Sequence, residues 1–118
     1  MENKIIIDHL ELYPTIVHRP MDWYEAESII ERLGPEWRLP TIAEFQGTLQ
    51  PHRSDYPALM DDSQYYWSSD SRLRGDAEIF SFMAGRPYSM RKNGGIFYVL
   101  PVRDFTDKDA VEYLLKEF

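Results

Sequence analysis

The sequence predicts a mixed α+β domain, and three features carry that expectation. Two capping boxes in the first half each precede an apolar stripe at helical spacing. Aromatic and β-branched runs separated by turn residues fill the second half, and a last apolar stripe closes the chain. A length of 118 residues suits one domain spanning 1–118, and 43% apolar content suffices for a continuous core. The aromatic share of 14%, with Trp23, Trp37 and Trp67 spread along the chain, predicts a core dominated by large rings.

The elements follow in order. Residues 4–17 hold apolar runs broken by Asp8, His9 and Pro14, which predicts one or two short strands joined by a turn near Tyr13 and Pro14. Asp22 and Glu25 have capping-box spacing, and Trp23, Ala26, Ile30 and Leu33 then recur on one helical face until Gly34 and Pro35 stop the helix. Thr41 and Glu44 open a second helix with Ile42, Phe45 and Leu49 as its stripe and Pro51 as its end. Residues 51–64 read as an irregular surface loop. Strands are expected over 65–68, 78–83 and 96–103, with turns at Gly85 to Pro87 and at Asn93, Gly94 and Gly95. The tract from Arg86 to Lys92 is then expected to project between paired strands. Val111, Leu114, Leu115 and Phe118 predict a C-terminal helix capped by Thr106 or Asp107.

Cysteine is absent, which excludes disulfide staples, thiolate zinc sites and cysteine nucleophiles, and is compatible with a reducing, cytoplasmic setting. The N-terminus offers one lysine and a three-residue apolar run, neither a signal-peptide core nor a membrane span. The net charge of −7 argues against direct nucleic-acid binding. Its distribution is uneven. Residues 72–103 carry Arg72, Arg74, Arg86, Arg91, Lys92 and Arg103 against Asp76 and Glu78, so a segment of +4 sits on a remainder of −11.

Three tracts of mixed chemistry stand out: Trp37, Arg38, Leu39, Pro40, Thr41 with Glu44 and Phe45; Tyr66, Trp67, Ser68, Ser69; and Pro101, Val102, Arg103. Together they resemble the DUF1566 family, whose Trp-Arg-Leu-Pro-Thr signature enters a helix ahead of a Tyr-Trp-Ser-Ser strand and a closing Val-Arg strand. The resemblance spans residues 22–103 and implies a variant of the C-type lectin-like fold, with two N-terminal-half helices packed on a small antiparallel sheet. Two features depart from the family. Many relatives are secreted or surface-attached and carry a cysteine in the first helix, and this chain has neither. The helix after Arg103 also lies outside the matched region, where it is expected to close the sheet or contact a partner.

Read for chemistry, the residues favour structure over catalysis. Arg38 before a helix is expected to pair with a buried carboxylate or strand carbonyls and tie the helical half to the sheet. Ser68 and Ser69 have no Gly-flanked elbow and no neighbouring histidine, so Trp67 reads as core and the hydroxyls as strand-end hydrogen-bond partners. His9, His18 and His52 lack metal-ligand spacing. Asp55, Asp61 and Asp62 suit a hard cation better, yet the sugar-binding calcium motifs of lectins are missing, so no metal or other cofactor is expected. Glu25 with Glu27, and Glu11 with Asp8, read as solvated carboxylates. Gly94 and Gly95 form a turn, not a phosphate cradle.

The expected function is therefore a non-enzymatic binding module with a macromolecular partner, a protein that offers an acidic surface or a phosphate group, and with a sugar or other small molecule as a second ligand class. Its candidate contact residues are Arg72, Arg74, Arg86, Tyr88, Met90, Arg91 and Lys92, residue types rich in binding energy, together with the loop 51–64. Trp37, Arg38, Leu39, Pro40, Thr41, Glu44, Tyr66, Trp67, Ser68, Ser69 and Arg103 are the expected structural motif. Two alternatives remain: an acidic inhibitor that mimics nucleic acid, and an enzyme, since formylglycine-generating enzymes look like members of the same broad fold.

Overall fold

A computed structural model describes residues 4–15 and 19–116 of the chain. The last two residues of the expected strand region 4–17, together with His18 and Phe118, lie outside the described residues. The first hairpin joins β1 (Ile5–Ile7) to β2 (Leu10–Leu12), with Ile7 opposite Leu10. The chain reverses at Asp8 and His9, ahead of the expected turn at Tyr13 and Pro14. Asp8 adopts φ 55, a left-handed conformation that an aspartate tolerates better than most residues.

Both capping boxes form. The Asp22 carboxylate accepts from the Glu25 N–H at 2.8 Å and starts α1 (Trp23–Leu33), which buries Ala26 and Ile30. Gly34, at φ 125, ends it. The Thr41 hydroxyl accepts from the Glu44 N–H, and the Glu44 carboxylate accepts from the Thr41 N–H. They open a single α-turn, α2 (Ile42–Glu44), which widens into a π-helical stretch over Phe45–Leu49 and then tightens into a 3-10 helix over Gln50–Asp55.

Pro51 therefore does not end the helical path. It sits at the start of the 3-10 segment, where the missing N–H removes no bond. The stretch 51–64 is correspondingly more ordered than an irregular loop. Leu59 and Met60 are buried, and the Asp61 N–H donates to the Tyr66 hydroxyl at 2.7 Å.

Among the described residues the strands form two small antiparallel sheets in place of the single expected one. In the first, β2 lies between β1 and β6 (Val102–Asp104), with Leu10 opposite Asp104. In the second, β4 (Asp76–Ser81) lies between β3 (Tyr65–Trp67) and β5 (Arg86–Arg91). The expected strand over 96–103 is split. Phe97 pairs with Met21 and Tyr98 with Tyr66, after which the chain leaves the second sheet and enters the first as β6. Pro101 lies in the gap, and a residue without an N–H cannot continue a ladder.

The tract of residues 86–92, expected to project as a turn, is itself mostly the edge strand β5. The reversal lies at residues 82–85, where Gly85 at φ 69 donates its N–H to the Ser81 carbonyl at 2.8 Å.

Side-chain alternation gives the second sheet two covered faces. One presents Tyr66 and Phe80 to Phe45, Leu49, Phe82 and the leucines of β2. Phe45 stacks on Phe80 with ring centroids 5.0 Å apart. The other presents Trp67, Ala77 and Ile79 to Ala26 and Ile30 of α1, with Leu39 and Val99. The indole N–H of Trp67 donates to the Met21 carbonyl at 2.7 Å. Large rings fill both layers, as composition predicts; Trp67, Tyr66, Phe45, Phe80 and Phe82 head the fully buried side chains.

Thr106 caps α3 (Asp107–Lys116), exchanging hydrogen bonds with Asp109. The helix does not close the sheet with its apolar stripe: Val111, Leu114 and Leu115 are 56%, 57% and 68% exposed. Its anchor is on another face, where Tyr113 meets the ring of Phe105 edge-on. No described helix is long and apolar enough to cross a membrane.

Candidate functional site

The cationic segment does not converge on one face. In β5 the register places Arg86, Tyr88 and Met90 opposite Ser81, Ile79 and Ala77, while Pro87, Ser89 and Arg91 lie opposite Phe80, Glu78 and Asp76. Arg86 and Arg91 therefore occupy opposite faces and opposite ends of the strand. Tyr88 and Met90 pack against the second core layer, so they serve partly as structure. Arg86 lies over the Tyr88 ring, 4.8 Å from its centroid, and Tyr88 meets exposed Tyr65 edge-on.

Arg72 is engaged within the molecule. Its Nε lies 2.7 Å from Glu78, whose carboxylate is nearly enclosed. Lys92 is also held: its Nζ lies 3.9 Å above the Trp23 ring, and its carbonyl accepts the Trp23 N–H at 3.0 Å. Burial raises the pKa of Glu27, while the positive charge of Lys92 partly opposes that rise.

Arg74 and Arg91 come together. They line one groove of about 440 Å³ with Tyr24, Leu73, Gly75, Asp76 and Asn93. The Lys92 N–H donates to the Gly75 carbonyl at 3.0 Å and fastens the turn carrying Arg74 to the end of β5. Among the described residues neither guanidinium has a carboxylate within ion-pair distance. Tyr24 and Leu73 beside them are exposed. Tyr24 gave no sequence signal as a contact residue, because helical periodicity assigns it to the solvent side of α1 without saying what stands next to it.

The expected structural motif is assembled around Arg38. Its two terminal nitrogens each lie 2.7 Å from an oxygen of Glu44, and one also reaches Asp104 at 2.8 Å. Burial opposes ionisation of Glu44, yet the Arg38 guanidinium and the Thr41 N–H outweigh it and hold the pKa below the usual carboxylate range. The Arg38 backbone bridges to Val102, and the Ser69 N–H donates to the Pro40 carbonyl at 2.9 Å. Ser68 is buried, its hydroxyl donating to the Glu78 carbonyl at 2.7 Å. Leu39 and Pro40 are buried as well. Arg38 thus ties the helical half to the first sheet, and the Ser68 hydroxyl completes a strand-end hydrogen bond, as the residue types predict, whereas Ser69 contributes only its backbone N–H.

Glu11 departs from its expected place on a solvated face. It is 5% exposed and stands directly across from Arg103 in the β2–β6 pair. Two nitrogens of Arg103 lie 2.9 and 2.8 Å from Glu11 Oε1, a third nitrogen lies 3.1 Å from Glu36, and the guanidinium sits over the Trp37 ring at 5.2 Å. Removal from water works against the Arg103 charge, but Glu11 and Glu36 prevail and raise its pKa. Glu11 is legible only from strand pairing, since nothing local to Leu10, Glu11 and Leu12 marks the middle residue as covered.

The aspartates of 51–64 are occupied locally. Asp62 pairs with Arg53 at 3.1 Å, Asp55 lies 3.4 Å from His52, and Asp61 accepts from both the N–H and the hydroxyl of Ser63. No cluster of three or more metal-ligating side chains occurs among the described residues. The sequence matches no family model and no curated protein.

Proposed function

We propose that this chain is a non-enzymatic binding module that engages an acidic protein segment through the groove between the 72–75 turn and the end of β5. The observation that carries the reading is the pairing of two uncommitted guanidinium groups, Arg74 and Arg91, with exposed Tyr24 and Leu73 along one groove. Arginine forks bind carboxylates in a fixed plane, and adjacent apolar side chains add area whose burial favours association. An acidic peptide with an apolar residue next to its carboxylates is the complement this surface calls for.

The same reading includes membership of the DUF1566 group, a C-type lectin-like fold and a cytoplasmic location. What supports the kinship is the meeting of the three signature tracts: the Arg38 backbone against Val102, its side chain on Glu44 and Asp104, and Ser69 against Pro40. Residues far apart in sequence but joined at one point are expected of a shared scaffold motif.

The experiment is a peptide array of acidic sequences probed with the full chain. Wild type is expected to retain peptides combining Asp or Glu with an apolar residue, in a salt-sensitive manner. Arg74→Glu with Arg91→Glu is expected to lose them by about tenfold or more, since attraction becomes repulsion. Arg86→Glu, on the opposite face, is expected to leave them unchanged. Equal retention by the double variant would reject the groove as the contact surface.

A further inference from the structure

A second charged cavity lies where β2 and β6 meet the segment between α1 and α2. It measures about 480 Å³ and is walled by Lys4, Glu11, Leu12, Tyr13, Pro14, Trp37 and Arg103. That volume falls within the range of small-molecule sites. Tyr13 and Trp37 meet edge to face, ring centroids 5.5 Å apart, and give one wall a rigid aromatic corner. Leu12 and Pro14 extend the apolar wall.

The polar wall is rich in donors. Two cations, Lys4 and Arg103, face one carboxylate, Glu11. Glu11 is nine-tenths enclosed and held by Arg103 on one oxygen, whereas Lys4 approaches its oxygens only at 3.3 and 3.4 Å, long for a charge-assisted hydrogen bond. Arg103 carries more N–H groups than its contacts with Glu11 and Glu36 use, and the Lys4 ammonium has donors beyond Glu11. Glu36, mostly exposed, takes one further N–H of Arg103 at 3.1 Å. The wall thus presents surplus hydrogen-bond donors beside an aromatic corner.

We propose that this cavity is a binding site for a small organic monoanion, a carboxylate joined to a flat apolar ring. The carboxylate takes the free donors of Lys4 and Arg103, and the ring packs against Tyr13 and Trp37. Glu11 orients Arg103, and together with Glu36 it balances the two cations, so the ligand is held by the unused N–H donors and not by a net charge. An ammonium ligand would meet two cations at the polar wall, and a neutral ring would leave the donor surplus unanswered.

The test uses the full chain with benzoate as probe and benzamide as its neutral counterpart. A ligand of this size is expected to bind with a Kd of about a millimolar, so titration to roughly 20 mM covers the range. Calorimetry is expected to show saturable benzoate binding, and the Trp37 indole N–H resonance, assigned by its loss in Trp37→Phe, is expected to shift in parallel. Benzamide is expected to bind about tenfold more weakly, and Lys4→Met to weaken benzoate about fivefold while benzamide is unaffected. Lys4→Met leaves the Glu11 to Arg103 pair in place, so the fold is retained. The double variant at Arg74 and Arg91 is expected to bind benzoate as wild type does, which separates this site from the peptide groove. Absence of saturable binding, equal affinity for benzamide, or a Trp37 resonance that stays still would each overturn the proposal.

Discussion

Arg38 and Glu44 form a two-pronged bridge, 2.7 Å at each contact, across the turn that enters α2. Glu44 does two jobs at once, since the same carboxylate accepts the Thr41 N–H at 2.9 Å and completes the capping box. The bridge gives the turn an acid-sensitive component of stability. Because the folded pKa of Glu44 lies below its unfolded value near 4.5, the contribution is fully present above that value and is lost as pH falls through the folded pKa. Urea unfolding at pH 7 and at steps below pH 5 is expected to show this loss in wild type and a shallower one in Glu44→Gln. Glu44→Ala, which removes bridge and cap together, is expected to cost about 2–3 kcal/mol at neutral pH.

Glu11 and Arg103 should behave as a buried pair. Arg103→Leu leaves an enclosed carboxylate with Lys4 alone at 3.3 Å, and is expected to destabilise by about 3 kcal/mol. Adding Glu11→Leu removes the stranded charge, and the double variant is expected to regain at least half of the loss. A double-mutant cycle by denaturant unfolding measures both numbers. Additive losses would mean that the two side chains are not coupled in solution.

Gly85 should resist substitution. At φ 69 an L residue is strained, and a Cβ there would lie 3.0 Å from Nε2 of Gln50, which donates to the Phe82 carbonyl. Gly85→Ala is expected to cost about 1 kcal/mol or more, visible as a lower urea midpoint at unchanged slope. Gly47, with open space around it and no left-handed φ, is the control. Substituting alanine there is expected to be neutral or stabilising by about 0.5 kcal/mol.

The apolar stripe of α3 should contribute little to the monomer. Replacing Val111, Leu114 and Leu115 together by serine removes side chains already more than half exposed, so global unfolding free energy is expected to change by less than about 1 kcal/mol. Tyr113→Ala, which removes the contact with Phe105, is expected to detach the helix and lower its helical circular dichroism signal without shifting the main unfolding transition.

Local chemistry determined a good part of this molecule from sequence. The caps at Asp22 and Thr41, the stop at Gly34, the turn at Gly85 and the burial of Trp67 each depend on a few neighbouring residues whose donors, acceptors or shapes allow one outcome. The anchoring role of Arg38 was legible for the same reason, since a guanidinium beside a capped helix needs a carboxylate within reach. The break at residues 99–101, the passage of helical turns through Pro51 and the exposed stripe of α3 were not, because each depends on which surface lies opposite.

The candidate sites divide along the same line. Composition located a cationic segment, but strand alternation and the register of β4 against β5 decided that Arg86 and Arg91 look in opposite directions and that Arg72 is held by Glu78. Glu11 acquires its buried partner from a strand at the far end of the chain, and Tyr24 acquires its neighbours from two turns it does not adjoin in sequence. Residue type sets what a side chain can bind. Only long-range pairing, which fixes direction and neighbours through backbone hydrogen bonds, decides whether it is free to do so.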